Sequence, residues 1–412
     1  MRPSDAPTTG APAEAGAAGP RVWIEELRLT DFRNYASLVL SAGPGLIVLT
    51  GPNGSGKTNL LEAVSLLTAG QGLRRAPYPE LARMGGADWA FAATVSAPLG
   101  RVRIGTGLQR HDGGRPGLRM GRSVRINGES QSGSGALGDL VDILWLTPAM
   151  DGLFTGPASE RRRFLDRVAP SLDPGYRLRL GQFERAMQQR NRLLAEDVRE
   201  PARFAGLERI MAETGVAIAA ARAAAVTELA ALIEARRAAA PQSAFAWATL
   251  GIAGTLETDL ATRPALDVED AYAALLQGAR ERDRAAGRTL DGPHRSDLLV
   301  GHGPKGMPAA TCSTGEQKSL LVGLVLAQAE MVRRHRNGAA PILLLDEISA
   351  HLDPIRRAAL FEEIVALGNQ TWMTGTEAEA FSGLSGKASF HRVEGGQAVS
   401  QGSPSAGSNT AP

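Results

Sequence analysis

Cysteine, lysine and aromatic residues are scarce in this chain of 412 residues, and each scarcity excludes a class of site. The single cysteine, Cys312, excludes an intramolecular disulfide, a cysteine-based zinc site and an iron–sulfur cluster. Aromatic residues make up only 5% of the chain, which argues against a platform for stacking nucleic-acid bases. Only four of the 45 basic residues are lysine, namely Lys57, Lys305, Lys318 and Lys387, so a lysine inside a motif is informative.

A strong net charge and long apolar runs are also missing. The formal net charge of +2 excludes both a histone-like coat protein and an acidic disordered chain. There is no run of about 18 uncharged apolar residues, so we expect neither a membrane span nor a membrane partner. The N-terminal 20 residues lack the apolar core of a signal peptide. Together with the lone cysteine, these absences predict a cytoplasmic protein.

The apolar periodicity changes twice along the chain. It favours strands and one short helix up to about residue 148, then Ala/Leu/Arg-rich helices, and then strands and helices again. Among the local predictions are an Asn127-Gly128 turn, a turn at 112–116, one helix over 267–284 and another over 354–367. We therefore predict an α/β fold, a discontinuous head with an inserted α-helical lobe. The expected parts are a disordered tail (1–20), head (21–148), helical lobe (149–285), head (286–396) and a second disordered tail (397–412).

A glycine-rich loop follows the apolar run 46–50 and precedes a helical pattern. Its residues are Gly51, Pro52, Asn53, Gly54, Ser55, Gly56, Lys57 and Thr58. They fit the phosphate-loop pattern G-x-x-x-x-G-K-[ST], in which backbone N–H groups and a helix N-terminus surround phosphate oxygens. Lys57 is expected to reach the β- and γ-phosphates of ATP, and the Thr58 hydroxyl to ligate Mg²⁺.

A second apolar run, 342–345, ends in the acids Asp346 and Glu347. A carboxylate at this strand end can hold the magnesium shell, which we assign to Asp346. Glu347 stands one residue further along, where it can orient or deprotonate an attacking water.

Two further stretches surround this acid pair in sequence. Ser313, Thr314, Gly315 and Glu316 precede a long apolar helix, where they form either a second anion site or an ordinary capping box. Asp353 follows the acids within Ser349-Ala350-His351-Leu352-Asp353 and is also a suitable cap for the helix that begins at Pro354.

Along the chain, the phosphate loop is followed by the small-residue helix cap, the acid pair and Asp353. This order resembles the ABC-type ATPase head. The resemblance implies that 313–316 is the signature motif and that Asp353 belongs to the D-loop. Further stretches resemble the RecF family of bacterial ABC-type ATPases over about residues 27–377. They are Phe32-Arg33-Asn34-Tyr35, Asn59 to Ala63, Arg125 to Gly128, Arg161 to Asp166, Gln189-Arg190-Asn191 and Thr289 to Arg295. Two positions depart from the expected pattern: Ser296 replaces an acid, and 373–377 lacks the switch histidine of transporter ATPases.

The resemblance implies a function in recombinational repair and replication restart. It implies ATP and Mg²⁺ as cofactors, weak and DNA-stimulated ATP hydrolysis, and an ATP-dependent homodimer in which each signature motif closes over the partner's ATP. It also implies binding to gapped DNA and to single-strand/double-strand junctions, cooperation with RecR and RecO in loading RecA, a role in the SOS response, and association with the nucleoid.

DNA contacts themselves are weakly marked in the sequence. Candidate basic clusters are Arg74-Arg75, Arg161-Arg162-Arg163, Arg333-Arg334-Arg336 and Arg356-Arg357, although each taken singly is more typical of a solvated helix face. His294 and Arg295 fit either a cationic group near the nucleotide or a turn that caps its own backbone. Alternative functions are an ABC-transporter ATPase subunit, an SMC-like chromosome-structural ATPase, and a DNA clamp with negligible turnover.

Overall fold

The computed structural model describes residues 21–98, 100–109, 121–241, 243, 245–348 and 352–402. The strands are β1 (Trp23–Phe32), β2 (Tyr35–Ser41), β3 (Leu46–Thr50), β4 (Ala90–Ala97), β5 (Gly100–Gln109), β6 (Gly121–Ile126), β7 (Glu129–Ser130), β8 (Ile143–Leu146), β9 (Ala248–Ala253), β10 (Asp297–His302), β11 (Met307–Pro308), β12 (Ile342–Leu345), β13 (Thr371–Gly375), β14 (Ala388–Glu394) and β15 (Gln397–Gln401). The α-helices are α1 (Lys57–Ser65), α2 (Ala158–Val168), α3 (Tyr176–Ala195), α4 (Pro201–Ala239), α5 (Thr255–Leu260), α6 (Ala265–Gly278), α7 (Arg280–Ala286), α8 (Thr314–His335) and α9 (Pro354–Leu367). This order confirms the α/β fold class.

The central sheet has the strand order β15-β14-β3-β13-β12-β8, with β15 the antiparallel edge of an otherwise parallel sheet. Alternate residues of β3 enter two different cores: Leu46 and Val48 pack on one face, Ile47 and Leu49 on the other. Burial on both faces explains why β3 and β12 read as continuous apolar runs. Because β3 and β8 precede the helical block and β12 to β15 follow it, the two outer parts of the chain form one sheet.

A second, antiparallel sheet has the order β2-β1-β4-β5-β6-β7 and packs with α1 in the core that contains Ile47. Its last hairpin turns through Asn127 and Gly128, with φ of 51° and 90°. Two consecutive positive φ angles favour Asn-Gly, as the sequence predicts. The turn predicted at 112–116 lies outside the described residues.

The helical lobe is built around α4, which packs against α3 and α6. One 18-residue window of α4 has a mean hydropathy of 1.8, so by length and composition alone it could cross a membrane. Half of that window is buried inside the protein. Arg222 lies within this helix, is buried, and pairs with Asp166 at 2.7 Å. These contacts are those of a core helix.

Two sequence-based boundaries and one predicted helix differ from the structure. β9, within the lobe expected to be all-helical, pairs with β10, so a small sheet crosses the expected boundary at residue 285. The helix expected over 267–284 is two helices, α6 and α7, which separate after Gly278, a poor helix former.

The expected C-terminal tail also begins too early. Gln397–Gln401 is strand β15, paired with β14 through a turn at Gly395 and Gly396, where both φ angles are positive. A two-residue glycine turn of this kind closes a hairpin without steric cost. Residues 403–412, like the tail expected at 1–20, lie outside the described residues.

Candidate nucleotide site

The glycine-rich loop joins the end of β3 to the start of α1, as the phosphate-loop pattern requires. All three of its glycines have positive φ, 144° at Gly51, 78° at Gly54 and 113° at Gly56. A Cβ on Gly51 would lie 2.3 Å from the Val393 carbonyl oxygen, and one on Gly56 would lie 2.4 Å from the Asn34 amide nitrogen. Both positions therefore exclude a side chain, and the loop backbone is held against its neighbours.

The stretch before β3 supports this loop from behind. The Tyr35 hydroxyl donates to the Gly56 carbonyl oxygen at 3.1 Å, and the Asn34 amide donates to the Ser55 carbonyl oxygen at 3.1 Å. Arg33 forms two hydrogen bonds, of 2.7 and 2.8 Å, with the buried carboxylate of Glu62 on α1. The Phe-Arg-Asn-Tyr stretch thus fixes the loop and the helix that follows it.

Lys57 is the buried cation of the loop. Its Nζ donates to the carbonyl oxygens of Gly51 at 2.7 Å and Pro52 at 2.9 Å. Burial lowers the pKa of Lys57, and the nearby carboxylates of Glu347 and Asp346 oppose that shift. The ammonium therefore lies at the loop, where phosphate oxygens would approach the first turn of α1.

The two acids at the end of β12 have different environments. Asp346 is buried, and its Oδ1 accepts hydrogen bonds from the Thr58 hydroxyl at 3.0 Å and the Thr374 hydroxyl at 2.7 Å. Glu347 is exposed and has a φ of 49°, a left-handed conformation that is uncommon for a residue with a side chain. Strained backbone of this kind concentrates at functional sites.

Thr374 is the functional residue that sequence analysis missed. Its hydroxyl donates to Asp346 and accepts from the Glu347 backbone N–H at 2.8 Å, so one side chain positions both acids. It lies in β13, within the stretch 373–377. Thr374 lies near the end of β13, between β3 and β12 in the sheet. This position marks it as a neighbour of both the phosphate loop and the acids, but only the strand order of the folded sheet reveals it.

Thr58 and Asp346 form a donor set that fits Mg²⁺. Both supply hard oxygen atoms, and their oxygens lie 3.0 Å apart. Within the described part of the chain there is no group of three or more His, Cys, Asp or Glu side chains able to hold a metal. Mg²⁺ commonly binds through one or two carboxylates plus phosphates and water, so it does not need such a group.

The sequence-predicted signature residues form the start of α8. The Ser313 hydroxyl accepts from the Glu316 N–H at 3.4 Å, and the Glu316 carboxylate accepts from the Ser313 N–H at 3.1 Å, which completes a capping box. Lys305 pairs with Glu316 at 2.6 Å, and these hydrogen bonds lower the pKa of Glu316 to about 2. Ser313 and Thr314 are nevertheless exposed at the helix N-terminus.

Asp353 caps α9, with its Oδ1 accepting from the Arg356 N–H at 2.9 Å. The remaining D-loop residues Ser349, Ala350 and His351 lie outside the described residues. His294 caps its own turn, because its Nε2 contacts the Thr289 carbonyl oxygen at 3.0 Å.

A cavity of about 690 Å³ opens beside Thr58, Asp346 and Glu347. Its further lining includes Arg74, Arg75, Arg163 and Arg167. None of the residues 313–316 lines it. The structure thus brings the phosphate-loop threonine and the acid pair together in one cavity and leaves the signature residues of the same chain outside it.

Most arginines of the predicted DNA-binding clusters already have intramolecular partners. Arg74 pairs with Glu62, Arg161 with Asp297, Arg163 with Glu160, Arg333 and Arg334 with Glu330, Arg336 with Asp142, and Arg356 with Asp353. Arg162 donates to the Ser296 carbonyl oxygen at 2.9 Å. A guanidinium that is already paired is less available to a DNA phosphate, so the clusters are weaker candidates than their sequence suggests.

Comparison with known proteins agrees with this geometry. The RecF/RecN/SMC N-terminal domain model matches residues 23–385. The DNA replication and repair protein RecF of Mesorhizobium japonicum is 53% identical over 375 residues, which cover 90% of this chain and 96% of that protein. RecF of Agrobacterium fabrum is 52% identical over 378 residues, covering 91% and 98% of the two chains.

Solved structures show the same fold. The structure of the recombination mediator protein RecF-ATP in the RecFOR pathway superposes with a TM-score of 0.76 at 20% identity, covering 93% of this chain and 100% of that one. A Pyrococcus furiosus Smc head domain gives a TM-score of 0.50 at 16% identity, covering 92% and 96%. On the extent and identity of the sequence matches, the chain belongs to the RecF family.

Proposed function

We propose that this chain is an ATP-dependent DNA-binding protein of recombinational repair and replication restart. The observation that carries the proposal is the hydrogen-bonded array of Thr58, Asp346, Thr374 and Glu347 beside the phosphate loop. Its relatives at 50% identity or more are named DNA replication and repair proteins. These two observations support ATP-driven chemistry and a role in repair, respectively.

In this proposal the loop and its neighbours bind ATP and hydrolyse it slowly. The N–H groups of 51–58 and the Lys57 ammonium hold the phosphates, and Thr58 and Asp346 would hold Mg²⁺, which would neutralise charge developing on them. Glu347, exposed and held by its backbone to Thr374, orients and deprotonates the attacking water. Burial of Asp346 and exposure of Glu347 support this division of roles.

The signature residues act in trans in this proposal. Ser313 to Glu316 lie outside the cavity that holds Thr58 and the acid pair, yet their helix N-terminus is exposed and suited to an anion. A symmetric dimer would place the α8 N-terminus of one chain over the ATP of the other, with Asp353 at the same interface, and so create two identical composite sites. ATP then favours the dimer, and its hydrolysis favours dissociation.

Sedimentation of two variants tests the composite site. Glu347→Gln retains the phosphate loop and slows hydrolysis, so it should be a stable dimer in saturating ATP. Lys57→Ala should remain monomeric at the same ATP concentration because its phosphate contact is lost. A monomeric Glu347→Gln protein in saturating ATP, with ATP binding verified by equilibrium dialysis, would refute ATP-driven dimerisation.

DNA is the proposed partner, with gapped duplexes and single-strand/double-strand junctions as preferred forms. Binding should be independent of sequence and should weaken as salt rises, because phosphate contacts dominate it. The decisive assay is the ATP hydrolysis rate with and without gapped DNA, which we expect DNA to increase. A rate unaffected by DNA, together with recovery of the protein in membrane fractions, would instead favour a transporter ATPase subunit.

The cellular role that we propose is to help RecR and RecO load RecA onto gapped DNA and thereby support the SOS response, in association with the nucleoid. Reconstitution with purified RecO, RecR and RecA on gapped, single-strand-binding-protein-coated DNA tests this role. Faster RecA filament formation at the gap is expected with the unmodified protein, and no acceleration is expected with Lys57→Ala. Equal acceleration by both proteins would show that ATP binding is not required.

A further inference from the structure

A second cavity, of about 330 Å³, lies between the head and the helical lobe. One wall is the chain after α1 (68–72), another is β8 with Trp145, and the third is formed by α2 and the start of α3. Its charged lining residues are three arginines, Arg75, Arg167 and Arg177, and one acid, Asp166. The cavity thus concentrates positive charge beside the nucleotide site.

The carboxylates around this cavity already have partners. Asp166 pairs with Arg222 at 2.7 Å, Asp142 pairs with Arg336 at 2.6 Å, and Glu160 pairs with Arg163. Within the described ranges, no ion pair involves the three lining arginines, Arg75, Arg167 and Arg177. The cavity lining therefore has three arginines without a direct ion pair against one carboxylate, Asp166, which is already paired.

Arg167 is the most constrained of the three. Its guanidinium lies over the rings of Trp145, at 5.4 Å, and Phe164, at 5.7 Å. Among the described residues, its one polar side-chain contact is with the Met150 sulfur at 3.8 Å. Burial and the neighbouring Arg75 lower the pKa of Arg167 to about 10. A cation held in such surroundings is stabilised by an anion, and Arg167 has no ion-pair partner among the described residues.

Arg122 holds one wall of the cavity in place. This buried residue of β6 donates to the carbonyl oxygens of Gly70 at 2.9 Å and Thr68 at 3.3 Å, and also to that of Leu66. A cation at these carbonyls also complements the C-terminal end of α1. The loop wall is therefore set by the protein itself, as in a preformed ligand site.

The volume of the cavity and its position beside the nucleotide site indicate which anion it binds. A volume of about 330 Å³ is at the lower end of small-molecule sites, which suits one phosphate group with its water better than a nucleic-acid strand. Arg75, Trp145 and Arg167 also line the cavity that contains Thr58, Asp346 and Glu347. The two cavities therefore share a wall beside the place where the γ-phosphate would be cleaved.

We propose that the cavity lined by Arg75, Arg167 and Arg177 binds inorganic orthophosphate, and that it receives the phosphate released by ATP hydrolysis before that phosphate leaves the protein. The binding part stands on the cavity alone, whereas the release part rests on the function proposed above. Attack of water on the γ-phosphorus breaks its bond to the β,γ-bridging oxygen and yields ADP and orthophosphate, so no further reactant is needed.

Direct binding in the absence of ATP tests the site. The protein used is the full chain with Lys57→Ala, a substitution that removes the phosphate-loop contact. Equilibrium dialysis of this protein then measures binding of radiolabelled orthophosphate. Adding Arg177→Gln or Arg167→Met should weaken binding about tenfold, since each removes charge-assisted hydrogen bonds. The matched control is Arg179→Gln, on the same helix but paired with Asp173 and absent from the cavity lining, which should leave binding unchanged.

Arg177 is exposed, so Arg177→Gln tests the site even if Arg167→Met fails to fold. Equal binding by the Arg177 and Arg179 variants would overturn the proposal, as would complete loss of binding in Lys57→Ala alone. Binding of a short oligonucleotide without any binding of orthophosphate would also overturn it and assign the arginines to DNA. These assays contain no ATP, so their result does not depend on hydrolysis. If the protein proved unable to hydrolyse ATP, that finding would contradict the proposed function but would not affect the measured orthophosphate binding.

Pre-steady-state kinetics test the release role. ADP formation measured by quenched flow and free phosphate measured with a fluorescent phosphate sensor should show a lag between cleavage and release. We expect Arg177→Gln to change this lag at least about threefold while the cleavage step keeps its rate. Simultaneous appearance of ADP and phosphate in both the unmodified protein and the variant would overturn the release role.

Discussion

The nucleotide site of the head and the base of the helical lobe are both built on charged side chains, but they use them differently. At the nucleotide site, Lys57 contacts carbonyl oxygens of its own loop, and Glu347 is exposed. In the lobe, the fully buried Arg190 donates to Glu208, Asp283 and Thr289, and also to the Leu276 carbonyl oxygen. Glu347 in the head is thus available to a ligand, whereas the charges of the Arg190 network are paired with one another inside the lobe.

The two regions also differ in the sequence distance between partners. Lys57 reaches carbonyls five and six residues away, while Arg190 reaches Asp283 and Thr289, 93 and 99 residues away. Asn191, next in the chain, accepts hydrogen bonds from the Thr289 N–H at 2.8 Å and its hydroxyl at 2.7 Å. These contacts tie α3 to the segment that returns to the head, so the lobe network has a structural role.

The largest effect that we expect comes from breaking the lobe network. Arg190→Met leaves Glu208 and Asp283 buried with fewer partners, and removing one member of a buried ion pair typically costs about 3–5 kcal/mol. Denaturant unfolding at constant salt should show this loss. The control is Arg192→Met, whose side chain is 79% exposed and pairs with Glu196, and which should change the free energy of unfolding little. Similar midpoints for the two variants would contradict the structural role of Arg190.

The next effect is expected at the acid pair. Thr374→Val keeps the volume but removes the hydroxyl that contacts Asp346 and the Glu347 N–H, at a cost of about 1–3 kcal/mol for the unpaired groups. ATP hydrolysis should fall about tenfold or more, with ATP affinity changed much less. Thr374→Ser should restore the rate, and Thr376→Val, at an exposed position two residues along, serves as the control. Equal rates in the two valine variants would remove Thr374 from the mechanism.

Two substitutions of Ser313 distinguish its role as a helix cap from a contact with the ATP of a partner chain. Ser313→Ala removes the cap of α8 and should destabilise the protein by about 0.5–2 kcal/mol. Ser313→Asp can still cap the helix, so its stability should stay near that of the unmodified protein, but its added negative charge should prevent ATP-dependent dimerisation. Thermal unfolding and sedimentation in saturating ATP report the two effects. A Ser313→Asp protein that dimerises normally would leave Ser313 with its capping role alone.

The smallest effect is a pH dependence centred on His294. Its Nδ1 is buried without a hydrogen-bond partner, and burial lowers its pKa, with Arg295 and Arg162 adding repulsion. Because the folded-state pKa lies below the ordinary value of about 6.5, its contribution is complete above that pH and is lost as pH falls through the folded-state value. Unfolding measured from pH 7.5 to 5 should therefore be less pH-dependent in His294→Gln. An identical pH slope would show that His294 does not titrate in this range.

Local patterns predicted much of the head because its chemistry is local. The loop 51–58, the cap at Ser313 and the helix start at Pro354 each depend on residues within a few positions, so spacing alone identified them. The Asn127-Gly128 turn followed from backbone sterics in the same way. The final hairpin through Gly395 and Gly396 obeys the same rule, but β15 contains few apolar residues and so gives no strand signal in the sequence.

Residue pattern by itself determined the α/β class, the phosphate loop, the acid pair and the resemblance to one ATPase family, because each is encoded in contiguous residues with a fixed period or spacing. Only the tertiary structure decided that Thr374 positions both acids, that Arg190 ties the lobe to the returning chain, and that most predicted DNA-binding arginines already have partners. It also decided that Arg75, Arg167 and Arg177 line one cavity. These relations join residues tens to hundreds of positions apart, so they depend on strand order and packing, which no local pattern contains.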